Sequence, residues 1–129
     1  MTKACDVIES VYALARRADH KSVRKLIADD ARWEPAAKAR WNPCRDGDQI
    51  VRTLLWRAGP ANRLRPAETI DLGPRALIRL RGKRIHRLGA SGYWAPKLFQ
   101  VVDVRDGKIV RMQDYTKREE ALAAAGLQP

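Results

Sequence analysis

The sequence has only two cysteines in 129 residues, Cys5 and Cys44, too few for a disulfide framework. Cys5 falls on the apolar side of the first amphipathic stretch, where a buried free thiol is the ordinary case. Nothing in this usage points to an oxidising compartment. The two histidines, His20 and His86, are far apart and lack cysteine or carboxylate partners at ligand spacing, so no metal is expected and no cofactor is implied. No apolar run approaches the length of a membrane span. Asp6 and Glu9 interrupt the N-terminal stretch before a signal peptide could form. A nucleophile motif, a phosphate-cradling glycine loop and a dinucleotide fingerprint are all missing, as are repeats and low-complexity tracts. The expectation is one cytoplasmic domain over residues 1–129, long enough for a single core, with no membrane partner.

Acidic residues are also scarce. Fifteen Asp and Glu stand against 26 Lys and Arg, a formal net charge of +11. Such a balance favours an anionic partner. Yet the basic residues are scattered, with no long block and no basic tail. There is no recognition helix and no aromatic-plus-basic strand motif, so nucleic acid is not the expected partner. The two function classes that remain are a pocket protein for a small molecule and a non-enzymatic module whose basic surface binds an anion.

Periodicity supplies the elements. Ala4, Val7, Ile8, Val11, Leu14, Ala15 and Ala18 recur at three- and four-residue steps, predicting a helix over 3–18 with Tyr12 beside its stripe. Asp19 caps a second helix predicted over His20 to Ala28, and Asp29-Asp30 ends it. Ala31 to Glu34 reads as a short strand stopped by Pro35, and 36–45 as a loop. Asp46 and Gln49 form a capping box for a third helix with Ile50, Val51, Leu54 and Leu55 inward, ended by Gly59-Pro60. Period-two patterns then predict strands over Arg65–Leu72, Arg75–Leu80 and Tyr93–Val104, the last with Pro96 as a bulge or late start. Asp106-Gly107 between two apolar runs is a hairpin signal. In the strand after it, alternation places Val110, Met112 and Asp114 on one face and Arg111, Gln113 and Tyr115 on the other. Thr116 with Glu119 reads as a capping box for a short final helix ending at Gly126. Helices first and strands after argue for α+β. A curved sheet wrapped by helices leaves a cone-shaped cavity, the default ligand site.

The order and spacing of Ala28-Asp29-Asp30-Ala31-Arg32-Trp33, Arg45-Asp46-Gly47-Asp48-Gln49-Ile50 and Asp106 to Tyr115 resemble the SnoaL-like branch of the nuclear transport factor 2-like superfamily. The resemblance covers nearly the whole chain. It implies a cone-like α+β fold: a strongly curved, mixed, mainly antiparallel sheet wrapped by three N-terminal helices, with a short C-terminal helix. It also implies a homodimer through the outer sheet face. It implies little about chemistry, because the superfamily spans polyketide cyclases, ketosteroid isomerase, limonene epoxide hydrolase, scytalone dehydratase and pocket proteins without known activity. The isomerase positions fall at Val11 (beside Tyr12), at Pro35 (beside Glu34), and near Phe99 or Gln100, and none matches. Of the epoxide hydrolase set, Asp114 fits the last-strand acid and Arg79 could supply the arginine, but Arg81 stands at the remaining acid. For a SnoaL-type cyclase, Asp114 is a counterpart of the inward acid.

Asp114 is therefore the candidate catalytic residue. As a general acid or base it needs apolar surroundings to raise its pKa; otherwise it is a structural carboxylate that caps the neighbouring helix or pairs with an arginine such as Arg79. The candidate pocket residues are Tyr12, Trp33, Trp41, Leu54, Trp56, Arg79, Trp94 and Met112. The tryptophans could stack on a flat ligand or serve as core and interface anchors, with Trp41 the lid candidate. Arg79, with Arg81, could clamp an oxyanion or simply pair with acids on the sheet surface. The implied ligand is a small apolar, oxygenated or aromatic molecule, and the implied chemistry is proton transfer in cyclisation, isomerisation or dehydration.

Overall fold

The computed structural model describes residues 3–36, 42–60, 62–82 and 98–127. Helix α1 spans Ala4–Arg16, α2 His20–Lys25 and α3 Gly47–Ala58, and a last helix, α4, spans Arg118–Ala124. Strands β1 (Ile27–Glu34), β2 (Arg65–Leu72), β3 (Arg75–Arg81), β4 (Leu98–Arg105) and β5 (Lys108–Tyr115) form one sheet in the order β1-β5-β4-β3-β2. β1 runs parallel to β5 and every other pairing is antiparallel. This is the expected α+β arrangement, an open curved sheet of the cone-like kind with helices packed on its concave side.

Local chemistry explains most boundaries. Asp19 Oδ1 accepts from the Ser22 amide at 3.2 Å and Asp46 Oδ1 from the Gln49 amide at 2.9 Å, so both caps form as expected. Gln49 reaches back one residue further than a capping box would, accepting from the Arg45 amide at 2.6 Å. The hairpin turns on Asp106 and Gly107, whose φ values of 54° and 75° are the positive pair that a two-residue primed turn requires.

Four expectations need correction. The second helix stops at Lys25, and Ile27 to Asp30 join β1, so the strand is twice the expected length and Asp29-Asp30 lies within it. Arg24 drives this. Its guanidinium binds the Ile27 carbonyl, Asp29 and Asp48, tying α2, β1 and the start of α3 together. In β5 a bulge between the Asp103–Arg111 and Val104–Ile109 pairs shifts the alternation. Ile109, not Val110, is therefore the buried residue, while Met112 and Asp114 keep their inward positions. Thr116 makes no cap; Lys117 is the N-cap of α4, without a side-chain bond. Tyr12 lies within the buried stripe of α1, not beside it. Tyr93 to Lys97, including Pro96, fall outside the described residues.

Two apolar clusters flank the sheet. The larger joins Ile8, Val11 and Tyr12 of α1, Ile50 and Leu54 of α3, and the inward strand residues Ile78, Val102, Ile109 and Met112. The smaller sits on the opposite face, where Ala121 of α4 packs on Leu77, Phe99 and Val101. Each fully buried aliphatic or aromatic side chain here contributes roughly 1.5–3 kcal/mol. The larger cluster thus supplies most of the driving force and surrounds the polar group described next.

Candidate functional site

Within the larger cluster lies a polar group assembled from five elements. Gln100 and Asp114 are direct cross-strand partners on β4 and β5, so their side chains emerge side by side on the concave face. Asp114 is fully buried. Its Oδ1 accepts from Trp33 Nε1 of β1 at 2.8 Å and from Gln100 Nε2 at 2.9 Å. Its Oδ2 accepts from Arg57 Nη1 of α3 at 3.0 Å. The other end of the Gln100 amide accepts from the Tyr12 hydroxyl of α1 at 3.0 Å. These two bonds orient the amide, with the oxygen toward Tyr12 and the nitrogen toward Asp114. Arg57 is 1% exposed, and its guanidinium carbon sits 4.5 Å from the centroid of the Trp33 ring, a cation–π contact in a desolvated setting.

Among the described residues three donors and no acceptor face the Asp114 carboxyl. Tyr12 has the opposite character. Burial, reinforced by the Asp114 charge, pushes its hydroxyl well above the ordinary tyrosine range, so it stays a protonated donor. Cys44 sits against Trp33 through two backbone hydrogen bonds, of 2.9 and 3.0 Å. Its Sγ is 3.3 Å from Thr53 Oγ1, and Thr53 donates its proton to the Gln49 carbonyl, so the thiol is the donor of the pair. Burial, ahead of every other cause, pushes this thiol up. Among the described residues no three His, Cys, Asp or Glu side chains gather to hold a metal ion, and no helix is long and apolar enough to cross a membrane.

No protein-family model matches the sequence, and no curated protein matches it significantly. Solved structures do. A protein of unknown function from Mesorhizobium loti, described as nuclear transport factor 2-like, is 25% identical with a TM-score of 0.64 over 88% of this chain and 89% of its own. A candidate polyketide cyclase from Sinorhizobium meliloti is 19% identical, TM-score 0.59, over 84% and 93%. An LEH-like epoxide hydrolase from M. tuberculosis is 17% identical, TM-score 0.59, over 85% and 79%. The chain has the nuclear transport factor 2-like fold.

In this nuclear transport factor 2-like frame the candidate residues separate into groups. Asp114, Tyr12, Trp33, Leu54 and Met112 are all buried in the larger cluster or in the polar group within it. Trp56 is 59% exposed and stands apart from them. Arg79 lies on the opposite sheet face, cross-strand from Phe99, and pairs with Glu68 at 3.3 Å. It is not the arginine that meets Asp114. Trp41 and Trp94 lie outside the described residues. Arg57 was missed. It falls in phase with Ile50, Leu54 and Ala58 on the buried stripe of α3, so its spacing alone marks a cation turned inward, and Asp114 was the acid in the apolar row of β5 available to meet it. Gln100 stands near the position of the later isomerase acid, and its inward phase between Leu98 and Val102 marks it as a buried polar residue that needs partners.

Proposed function

We propose that this chain is a SnoaL-like pocket protein that binds a small apolar, oxygenated ligand at the polar group, with Asp114 able to move a proton on that ligand. The observation that carries the reading is the fully buried Arg57–Asp114 pair with Tyr12 and Gln100 beside it, inside an otherwise apolar interior. Burying a charge pair is expensive, and an apolar filling of the same volume commonly serves stability as well or better. A costly polar group in the concave interior of a ligand-binding fold is thus best read as kept for recognition or chemistry.

The division of labour follows from the chemistry of the side chains. Asp114 is the base that takes a proton from carbon or oxygen. Arg57 and the protonated Tyr12 are the donors that meet oxygen charge as it develops. Gln100 and Trp33 hold the carboxylate in one orientation. Because Asp114 has no solvent contact, a ligand oxygen reaches it by taking over one of its three hydrogen bonds. This set suits enolisation followed by cyclisation, isomerisation or dehydration.

The test is a thermal-shift screen of aromatic and polyketide-like ketones, followed by turnover of any hit in wild type and in Asp114→Asn. Binding with turnover lost only in the variant supports both parts of the reading. Binding with unchanged turnover removes Asp114 from the chemistry. No ligand across the screen refutes the pocket reading.

A further inference from the structure

The basic residues that look scattered along the chain are gathered by the fold. Arg16 and Arg17 end α1, and the chain turns at once into α2, where the Asp19 amide bonds the Leu14 carbonyl at 3.0 Å and His20 the Ala18 carbonyl at 3.0 Å. Lys21 and Lys25 follow on α2. The Ile109 amide then bonds the Leu26 carbonyl at 2.8 Å, which brings the tip of the β4–β5 hairpin, with Arg105 and Lys108 paired across it, against the end of α2. All six of these cations are exposed, and among the described residues none is paired with a carboxylate.

The acids at this end are fewer and partly engaged. Asp29 is held by Arg24. Asp19 is occupied as the α2 cap; hydrogen bonds from Ser22 hold its carboxyl below the usual range, and the nearby charges of Arg17 and Lys25 add to this. Asp30 and Asp106 remain. They line, together with Arg105, Lys108 and Arg111, a surface groove of about 930 Å³ beside the hairpin. Elsewhere on the sheet Arg65 and Arg81 are cross-strand partners on β2 and β3.

We propose that the α1–α2 corner and the hairpin tip form a docking surface for the phosphodiester backbone of nucleic acid, separate from the interior polar group. Unpaired arginines and lysines close together on one end of the fold neutralise successive phosphates, and binding gains from release of condensed counterions. Among the described residues this surface lacks the apolar anchors that embed a helix in a lipid interface: the large hydrophobic residue exposed among them, Trp56, lies on α3, not here. Binding of this kind is not sequence-selective, because phosphate contacts position without reading bases.

The experiment is fluorescence anisotropy of labelled 20-nucleotide single-stranded and duplex DNA across 25–200 mM salt. It compares wild type with R17Q/K21Q/K25Q and with the equally charged control R52Q/R65Q/R81Q. All six positions are exposed, and thermal melting verifies that both variants remain folded. The expected result is micromolar binding by wild type at low salt. The slope of log affinity against log salt should shrink by up to about three in the first variant and stay unchanged in the control. Equal losses in the two variants would reduce the effect to net charge and overturn the proposal, as would no binding at 25 mM salt. Binding to vesicles containing phosphatidylserine without binding to DNA would overturn it in favour of a membrane surface.

Discussion

The Arg57–Asp114 pair makes a quantitative demand on stability. Breaking a buried pair by removing one partner costs about 3–5 kcal/mol, because the remaining charge is left desolvated without compensation. In Asp114→Asn the shape is kept, and one oxygen still accepts from Trp33 or Gln100, so the loss should sit near the lower end, about 3 kcal/mol. Melting of a chain this size moves by roughly 3 °C per kcal/mol, so the midpoint should fall by roughly 10 °C. Arg57→Met alone leaves the buried Asp114 carboxyl without its cation, with donors from Trp33 and Gln100 among the described residues, and should cost a similar amount. The double variant D114N/R57M has no buried charge and keeps its apolar volume. It should be far more stable than the sum of the two losses predicts, with a coupling of about 2–3 kcal/mol in a urea-unfolding cycle followed by tryptophan fluorescence. Arg79→Gln, which removes an exposed pair with Glu68, is the control and should change stability by under about 1 kcal/mol. If the two single losses add to within about 0.5 kcal/mol of the double, Arg57 and Asp114 are not an energetic unit, and the reading of the interior falls.

Two further substitutions probe other parts of the structure. The Tyr12 hydroxyl has its pKa raised above the ordinary 10.0 on folding, so it adds stability that is whole below pH 10 and is lost as pH rises toward the folded value. Wild type should lose about 1.4 kcal/mol from this residue by pH 11, and Tyr12→Phe should lack that component while being about 1–3 kcal/mol less stable at pH 7 because Gln100 Oε1 is left unsatisfied; parallel pH profiles for the two proteins would refute it. Gly47→Ala should destabilise although alanine is the better helix former: its Cβ would stand 2.7 Å from the Ala28 carbonyl oxygen and 3.0 Å from the Arg24 guanidinium, at a cost of about 1–3 kcal/mol in denaturant unfolding, and a gain in stability would show that this junction yields.

What the sequence makes legible here is what is encoded locally. The stripes of α1 and α3, the caps at Asp19 and Asp46 and the primed turn at Asp106-Gly107 each depend on residues within a few positions of one another, and all of them form. The departures come from contacts that join distant segments. The early end of α2 depends on Arg24 gripping Asp48, 24 residues away. The phase of β5 depends on a bulge set by its register against β4. Thr116 and Glu119 have the right spacing for a cap, but β5 runs to Tyr115 and the helix starts from Lys117, so the threonine never occupies the capping position. The interior site is intermediate. Asp114 stands out as a polar residue in an apolar row, and Tyr12 only borders the stripe of α1 in the sequence, whereas choosing Arg57 over Arg79 as the partner requires knowing that α3 covers the concave face and that Arg79 points to the other side.

That choice of arginine decides which chemistry the frame can host. Had Arg79 met Asp114, the pair would bridge the sheet surface, open to water and worth little. With Arg57 the cation comes from a helix, in a region with no solvent contact, stacked on the same Trp33 that donates to the carboxylate. The five side chains then form one connected run, Tyr12 to Gln100 to Asp114, with Trp33 and Arg57 closing the far end. In such a run one member cannot turn without freeing the next, so on the proposed reading a ligand oxygen that displaces a single bond would be met by donors already held in place. Preorganised donors in a water-excluded site are what stabilise developing charge most effectively. An apolar filling of the same volume would match the stability and have none of this capacity.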